Sequence, residues 1–220
     1  MYLVKRSRLT FSNDHKNRIL PPLHFAGDYK RCKGHGYTFV IPKNWVADTF
    51  VALAKAQRQT QPLDYKMKRN GRDGPSTTLP DSAYGPPGRL NQRGVSEQGD
   101  TNVSVIVTGL PSGFSLKGSL GSPQTAAETL LQVSLAPEGS GRTATLVYAV
   151  EDAARDVYQF QYKIDRGERG LPLQAISVIA VGNSDTLYTQ TVVAPLKDWQ
   201  QSEDYSAQLT KIATSFHLTR

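Results

Sequence analysis

Apolar and polar positions along the chain change rhythm several times, and each change marks an element. Tyr37-Thr38-Phe39-Val40-Ile41 is β-branched or aromatic and stops at Pro42, which cannot donate to a ladder, so a strand is predicted there with Trp45 as a large anchor behind it. Ala47 to Arg58 is rich in helix formers, with Asp48 as a cap candidate and Phe50, Val51 and Ala54 as its apolar side. Asn102-Val103-Ser104-Val105-Ile106-Val107 alternates and then fills in with apolar residues, which predicts a strand covered on both faces and central in its sheet. Ser122-Pro123 supplies a cap and a proline at the first helical position, followed by good helix formers through Leu131. Four strand-like runs follow, Thr143 to Val150, Val157 to Ile164, Gln174 to Val181 and Leu187 to Ala194, separated by polar turns such as Asn183-Ser184-Asp185. Sequential hairpins of this kind make an antiparallel sheet. Ser202 then caps a last helix in which Tyr205, Leu209, Ile212, Ala213 and Phe216 recur at helical spacing. The sum is an α+β domain with helices packed on an antiparallel sheet.

The flanks and one internal stretch read differently. Residues 1–20 carry five basic side chains and one acid, with hydroxyls between them, which is the composition of an organelle transit segment. Residues 1–35 are therefore expected to be a basic leader, and order is expected to begin at Gly36 and run to 220 as one domain. Ile19 to Gly27 is interrupted by Pro21 and Pro22, so no secretory signal is read there. Thr60 to Gln98 is dominated by Pro, Gly, Asp, Asn and Arg and is expected to be a long surface loop at about 60–100. No apolar run approaches the ~20 residues of a transmembrane helix. The single Cys32 excludes an internal disulfide and a Cys-rich zinc module.

Charge sharpens this picture. Residues 1–100 hold 17 Lys and Arg against 8 Asp and Glu, a net of +9, whereas residues 101–220 hold 9 against 11, a net of −2. A basic surface on a nearly neutral core suits an acidic partner, a membrane surface or nucleic acid. Its densest part is Tyr65-Lys66-Met67-Lys68-Arg69-Asn70-Gly71-Arg72, extended by Arg89 and Arg93, and Lys66, Lys68, Arg69 and Arg72 are the candidate partner-binding residues. The same patch would suit RNA phosphates, with Tyr65 as a stacking surface.

Signals for chemistry are weak by contrast. No Gly-x-Ser-x-Gly turn exists, and the histidines His15, His24 and His35 fall in the basic leader while His217 closes the last helix, so no catalytic residue is nominated. Gly34-His35-Gly36 leads into a strand, and Gly139-Ser140-Gly141-Arg142 lacks the spacing and lysine of a phosphate loop. His24, Cys32 and His35 offer three metal-ligand types within twelve residues, but a structural zinc needs a fourth and a rigid frame, and a flexible leader is the expectation. Glu151, Asp152 and Asp156 gather hard oxygens in one turn without a calcium-loop pattern, and are read as a solvated hairpin tip. Asn102-Val103-Ser104 is a formal glycosylation sequon inside a predicted strand, and is read as sheet.

Several pieces, in this order, resemble the PsbP family of extrinsic and assembly proteins of photosystem II: Gly36 to Pro42 with Trp45, Asn102 to Val107, Gly121-Ser122-Pro123 opening a helix, Asp185 to Gln190 through Ala194, Trp199, and the closing Ser215-Phe216. They span about residues 36 to 218. The resemblance implies an α-β-α sandwich around a central six-stranded antiparallel sheet, the fold also of Ran-binding proteins of the Mog type. It implies a non-enzymatic role in the thylakoid lumen of a chloroplast, peripheral on the membrane, docked to photosystem II or photosystem I, with calcium as the implied cofactor. Residues 1–35 do not resemble the family's N-terminal arm, the stretch from Trp45 to Thr101 is longer than its norm with Leu63 to Arg69 as a candidate strand, and the lumenal signal is missing, so the chain resembles the divergent members.

Overall fold

The structure is a computed structural model, and residues 28–60, 79–90, 96–97, 100–182 and 185–219 are described. Twelve strands and four α-helices are seen among them: β1 (Tyr29–Gly34), β2 (Tyr37–Pro42), β3 (Val46–Ala47), α1 (Thr49–Thr60), β4 (Ser82–Gly85), β5 (Arg89–Leu90), β6 (Ser96–Glu97), β7 (Asn102–Gly109), α2 (Pro123–Leu130), β8 (Thr143–Asp152), β9 (Val157–Asp165), β10 (Leu173–Gly182), β11 (Thr186–Pro195), α3 (Leu196–Gln201), α4 (Glu203–Thr214) and β12 (His217–Leu218). Short π-helical turns at Leu116–Leu120 and Leu131–Leu135 flank α2.

The large sheet is antiparallel throughout, in the order β3-β4-β7-β11-β10-β9-β8. Three consecutive hairpins build its second half, with Val178 facing Gln190 and Ser177 facing Phe160. β7 is interior as its apolar filling predicts: Val103 pairs with Val192 of β11 on one side and with Tyr84 of β4 on the other. A second sheet, β1-β2-β12, lies over one face of the first.

Both faces of the large sheet are covered at its centre, which is why β10 is buried along most of its length. On one face Val103, Val105, Val178, Ala180 and Val192 pack with Tyr37, Phe39 and Ile41 of β2 and with Leu209, Ile212 and Ala213 of α4. On the other, Tyr158, Phe160, Tyr162, Ala175 and Ile179 pack with Ala126, Ala127 and Leu131. Alternation along β10 divides its side chains between the two: Ile176, Val178 and Ala180 go to the first, Ala175 and Ile179 to the second. Capping fixes the helix starts. Ser122 Oγ accepts from Thr125 N at 3.2 Å with Pro123 in the first turn, Ser202 Oγ accepts from Tyr205 N at 3.3 Å, and Asp48 Oδ1 accepts from Phe50 N at 2.8 Å. At the far end of α4, Ser215 Oγ accepts from Val40 N at 3.0 Å and donates to Ile212 O at 2.7 Å, which ties helix to strand.

The architecture is thus the expected α+β arrangement of helices over an antiparallel sheet, and five expectations are corrected in detail. Order does not begin at Gly36: β1 pairs with β2 along its whole length, from Tyr29 opposite Pro42 to Gly34 opposite Tyr37, so the reading of residues 1–35 as leader fails for 29–35. The large sheet has seven strands where six were implied, because the two-residue β3 extends the β4 edge. The loop expected at about 60–100 contains β4, which pairs with β7. Helix α1 has the predicted cap, but Phe50 faces away from the core while Val51 alone of the pair is buried. His217 belongs to β12, opposite Thr38, and not to the last helix. The candidate strand Leu63 to Arg69 lies outside the described residues.

Candidate partner-binding face

The four nominated cations, Lys66, Lys68, Arg69 and Arg72, lie outside the described residues, as do Tyr65, Arg93 and His24. The described elements on either side of them in the chain are α1, ending at Thr60, and β4, starting at Ser82, and α1 packs on β4.

Basic character does not stop at that segment. Residues 28–60 hold six Lys and Arg against two Asp. β1 is the edge of its sheet, and Lys30, Arg31 and Lys33 on it are exposed, while Cys32 points inward to the core. Lys30 is held in place by donating from Nζ to Trp45 O at 2.5 Å. Lys33 of β1 and Lys55 of α1 line one small cavity of about 120 Å³ with Asp48, Asp81 and Tyr84, so these two elements share a face.

Asp81 organises this corner. Its Oδ1 meets Lys55 Nζ at 2.8 Å, and its Oδ2 accepts from Tyr37 Oη at 2.6 Å, with Ser82 Oγ 2.7 Å from the same hydroxyl. Burial, then the Asp81 carboxylate, push the Tyr37 phenol far above its ordinary range, so it serves as a neutral donor. Burial and the neighbouring Cys32 thiol push Tyr84 up to about 12. Cys32 itself is raised by burial, which outweighs the hydrogen bond from Tyr84 and the charge of Lys30, so its thiol is protonated and unreactive at neutral pH. The expectation of Cys32 in a flexible leader is therefore replaced by a structural cysteine in a strand.

Beside these cations stand three exposed apolar side chains: Phe50 at 67% and Leu53 at 60% on α1, and Val46 at 49% on β3. Large apolar residues rimmed by charge are the composition of a contact surface. Sequence reading placed Phe50 in the core, because helical spacing alone does not say which side of a short helix meets the sheet.

The other candidates sort as follows. In the Glu151–Asp156 turn, Asp152 Oδ2 takes Arg155 Nε at 2.6 Å and its Oδ1 accepts from Ala154 N at 3.1 Å, so its oxygens are already engaged. Partial burial opposes ionisation there, but the Arg155 hydrogen bond and charge outweigh it and hold the carboxyl below its usual range. Among the described residues no group of three or more His, Cys, Asp or Glu side chains is placed to hold a metal ion. No helix among them is long and apolar enough to cross a membrane. His35 and His217, weighed separately in the sequence, line one cleft together with Arg155.

Compared with known proteins, the sequence profile of the family named PsbP matches residues 28–218. CyanoP of Thermosynechococcus vestitus is 36% identical over 120 residues, 52% of this chain and 63% of that protein, so the match spans less than two thirds of the relative's length. The solution structure of cyanobacterial PsbP (CyanoP) from Synechocystis sp. PCC 6803 superposes with a TM-score of 0.56 at 18% identity, covering 91% of this chain and 99% of that one, and shares the fold. The Ran-binding protein Mog1p of Saccharomyces cerevisiae is more distant, with a TM-score of 0.45 at 11% identity over 87% of this chain and 95% of that one.

Proposed function

The chain belongs to the PsbP family, and from that membership we propose that it is a non-enzymatic extrinsic or assembly protein of photosystem II, peripheral on the lumenal side of the thylakoid membrane and docked there by charge. The observation that carries the reading is the family match over nearly the whole described fold, residues 28–218. The basic face supports the manner of docking: exposed Lys30, Arg31 and Lys33 on an edge strand, Lys55 beside them on α1, and the segment with Lys66, Lys68, Arg69 and Arg72 continuing directly from that helix. Lumenal loops of photosystem subunits that carry acidic side chains are complementary to such a face, which steers encounter and fixes orientation. The sheet and its helices hold the face in shape.

Fractionation of intact thylakoids with protease protection, followed by affinity capture from solubilised membranes, tests the proposal. Protection within the lumen and co-purification of photosystem II subunits are expected. Capture of photosystem I subunits instead would move the assignment to that complex, and recovery from the stroma or outside a plastid would overturn it. Calcium enters through kinship alone, and calorimetric titration with calcium checks it: no saturable heat removes calcium from the proposal.

A further inference from the structure

A cleft of about 600 Å³ opens where the β1–β2 turn, the β8–β9 hairpin, the β10–β11 end and β12 meet, a size suited to a small ligand. Its floor is a tyrosine laid against glycine backbone. A Cβ on Gly36, whose φ is +87°, would stand 2.2 Å from Tyr188 Oη, and one on Gly182 would stand 2.6 Å from Tyr188 Cε2, so both positions must be glycine for the ring to lie where it does. Val157, Val181 and Leu218 add aliphatic surface around the ring.

Arg155 and His35 bring donors to the cleft with capacity left over. Arg155 has five N–H bonds to give. Nε goes to Asp152, and Nη1 donates to Thr214 O at 2.8 Å and Phe216 O at 3.2 Å, which also caps the carbonyl end of α4; Nη2 makes no hydrogen bond among the described residues. His217 Nδ1 lies 2.9 Å from Ser215 O, and because a carbonyl can only accept, that nitrogen carries a proton, which leaves Nε2 of the neutral ring an acceptor. His35, exposed in the β1–β2 turn, makes no side-chain hydrogen bond among the described residues. Among the described residues no Asp or Glu lines the cleft.

We infer that this cleft is a binding site for a carboxylate ligand with a short aliphatic body, the chemistry of an apolar carboxyl-terminal residue. The carboxylate is received by Arg155 Nη2 with His35 beside it, and the aliphatic part lies on Tyr188, Val157 and Val181. A guanidinium whose other donors are pinned by the Asp152 carboxylate and by backbone carbonyls is pre-oriented for this, so little side-chain entropy is lost on binding. The site does not rest on the role proposed above.

The test uses the purified full chain, labelled with ¹⁵N and titrated by NMR with N-acetyl-leucine, N-acetyl-leucinamide and inorganic phosphate in turn. N-acetyl-leucine is expected to give saturable shifts at Gly36, Gly182 and Leu218, with the uncharged amide and phosphate each at least about tenfold weaker. Arg155→Gln should abolish the response; because Arg155 also caps α4, Thr219→Glu, at an exposed rim position, provides the second variant and should weaken binding about tenfold with the spectrum otherwise unchanged. Equal response to the amide, equal affinity for phosphate, shifts confined to other surfaces, or undiminished binding by Thr219→Glu would each overturn the assignment.

Discussion

Gln190 sits on β11 between Val105 and Val178, fully buried, and neither polar atom of its amide has a hydrogen-bond partner among the described residues. Its neighbours show the contrast, since buried Ser177 is shared between Tyr162 Oη at 2.9 Å and Thr191 Oγ1 at 3.0 Å. An unsatisfied buried amide costs about 1–3 kcal/mol, so Gln190→Met, similar in volume, should raise the unfolding free energy by about that amount. The check is the urea midpoint at unchanged slope, and a lower midpoint would show that the amide is bonded in solution. Asp152 gives a second prediction at this scale. Its folded-state carboxyl is depressed by Arg155, so it adds stability that is complete above the unfolded value of about 3.9 and is lost as pH falls through the lower folded value. The thermal midpoint should therefore decline less steeply below about pH 4 in Asp152→Asn than in the native chain. Parallel declines would mean that this half-buried ion pair has no thermodynamic weight.

Among the elements, those with a strong internal signal were legible and those defined by their neighbours were not. The hairpin strands β8 to β11 fall within two residues of the runs read from alternation, and the caps at Asp48, Ser122 and Ser202 stand where predicted. β1 was missed because the side chains on its outer surface are Lys and Arg, which mimic a leader, while the inward signal is carried by Cys32 and half-buried Tyr29. β4 was missed because four residues between prolines carry no period, and its pairing with β7 is a tertiary event. The cleft holding His35, Arg155 and His217 was illegible for a related reason: its walls come from four distant segments, and no local spacing records their meeting. The Ser202 cap makes the element-scale prediction. Ser202→Ala removes the acceptor of Tyr205 N and should cost about 1 kcal/mol, read by chemical denaturation, because α4 closes the core through Leu209, Ile212 and Ala213. No loss would mean that packing alone sets the start of that helix.

Over the whole molecule the charge is divided as the fold is. The excess of +9 lies in residues 1–100, which supply β1, α1 and the basic segment after it, while residues 101–220 supply most of the sheet at a net of −2. That asymmetry was legible from the sequence, and the structure adds the exposed edge strand and the apolar trio Val46, Phe50 and Leu53 beside it. The central claim is attachment through this face by charge, and rebinding of the purified protein to salt-stripped thylakoid membranes across a salt series measures it most directly. Affinity should fall steadily as salt rises and be largely lost near 1 M, where the Debye length is about 3 Å, and changing Lys66, Lys68, Arg69 and Arg72 together to Glu should produce the same loss at low salt. Binding that is indifferent both to salt and to the charge reversal would contradict the account.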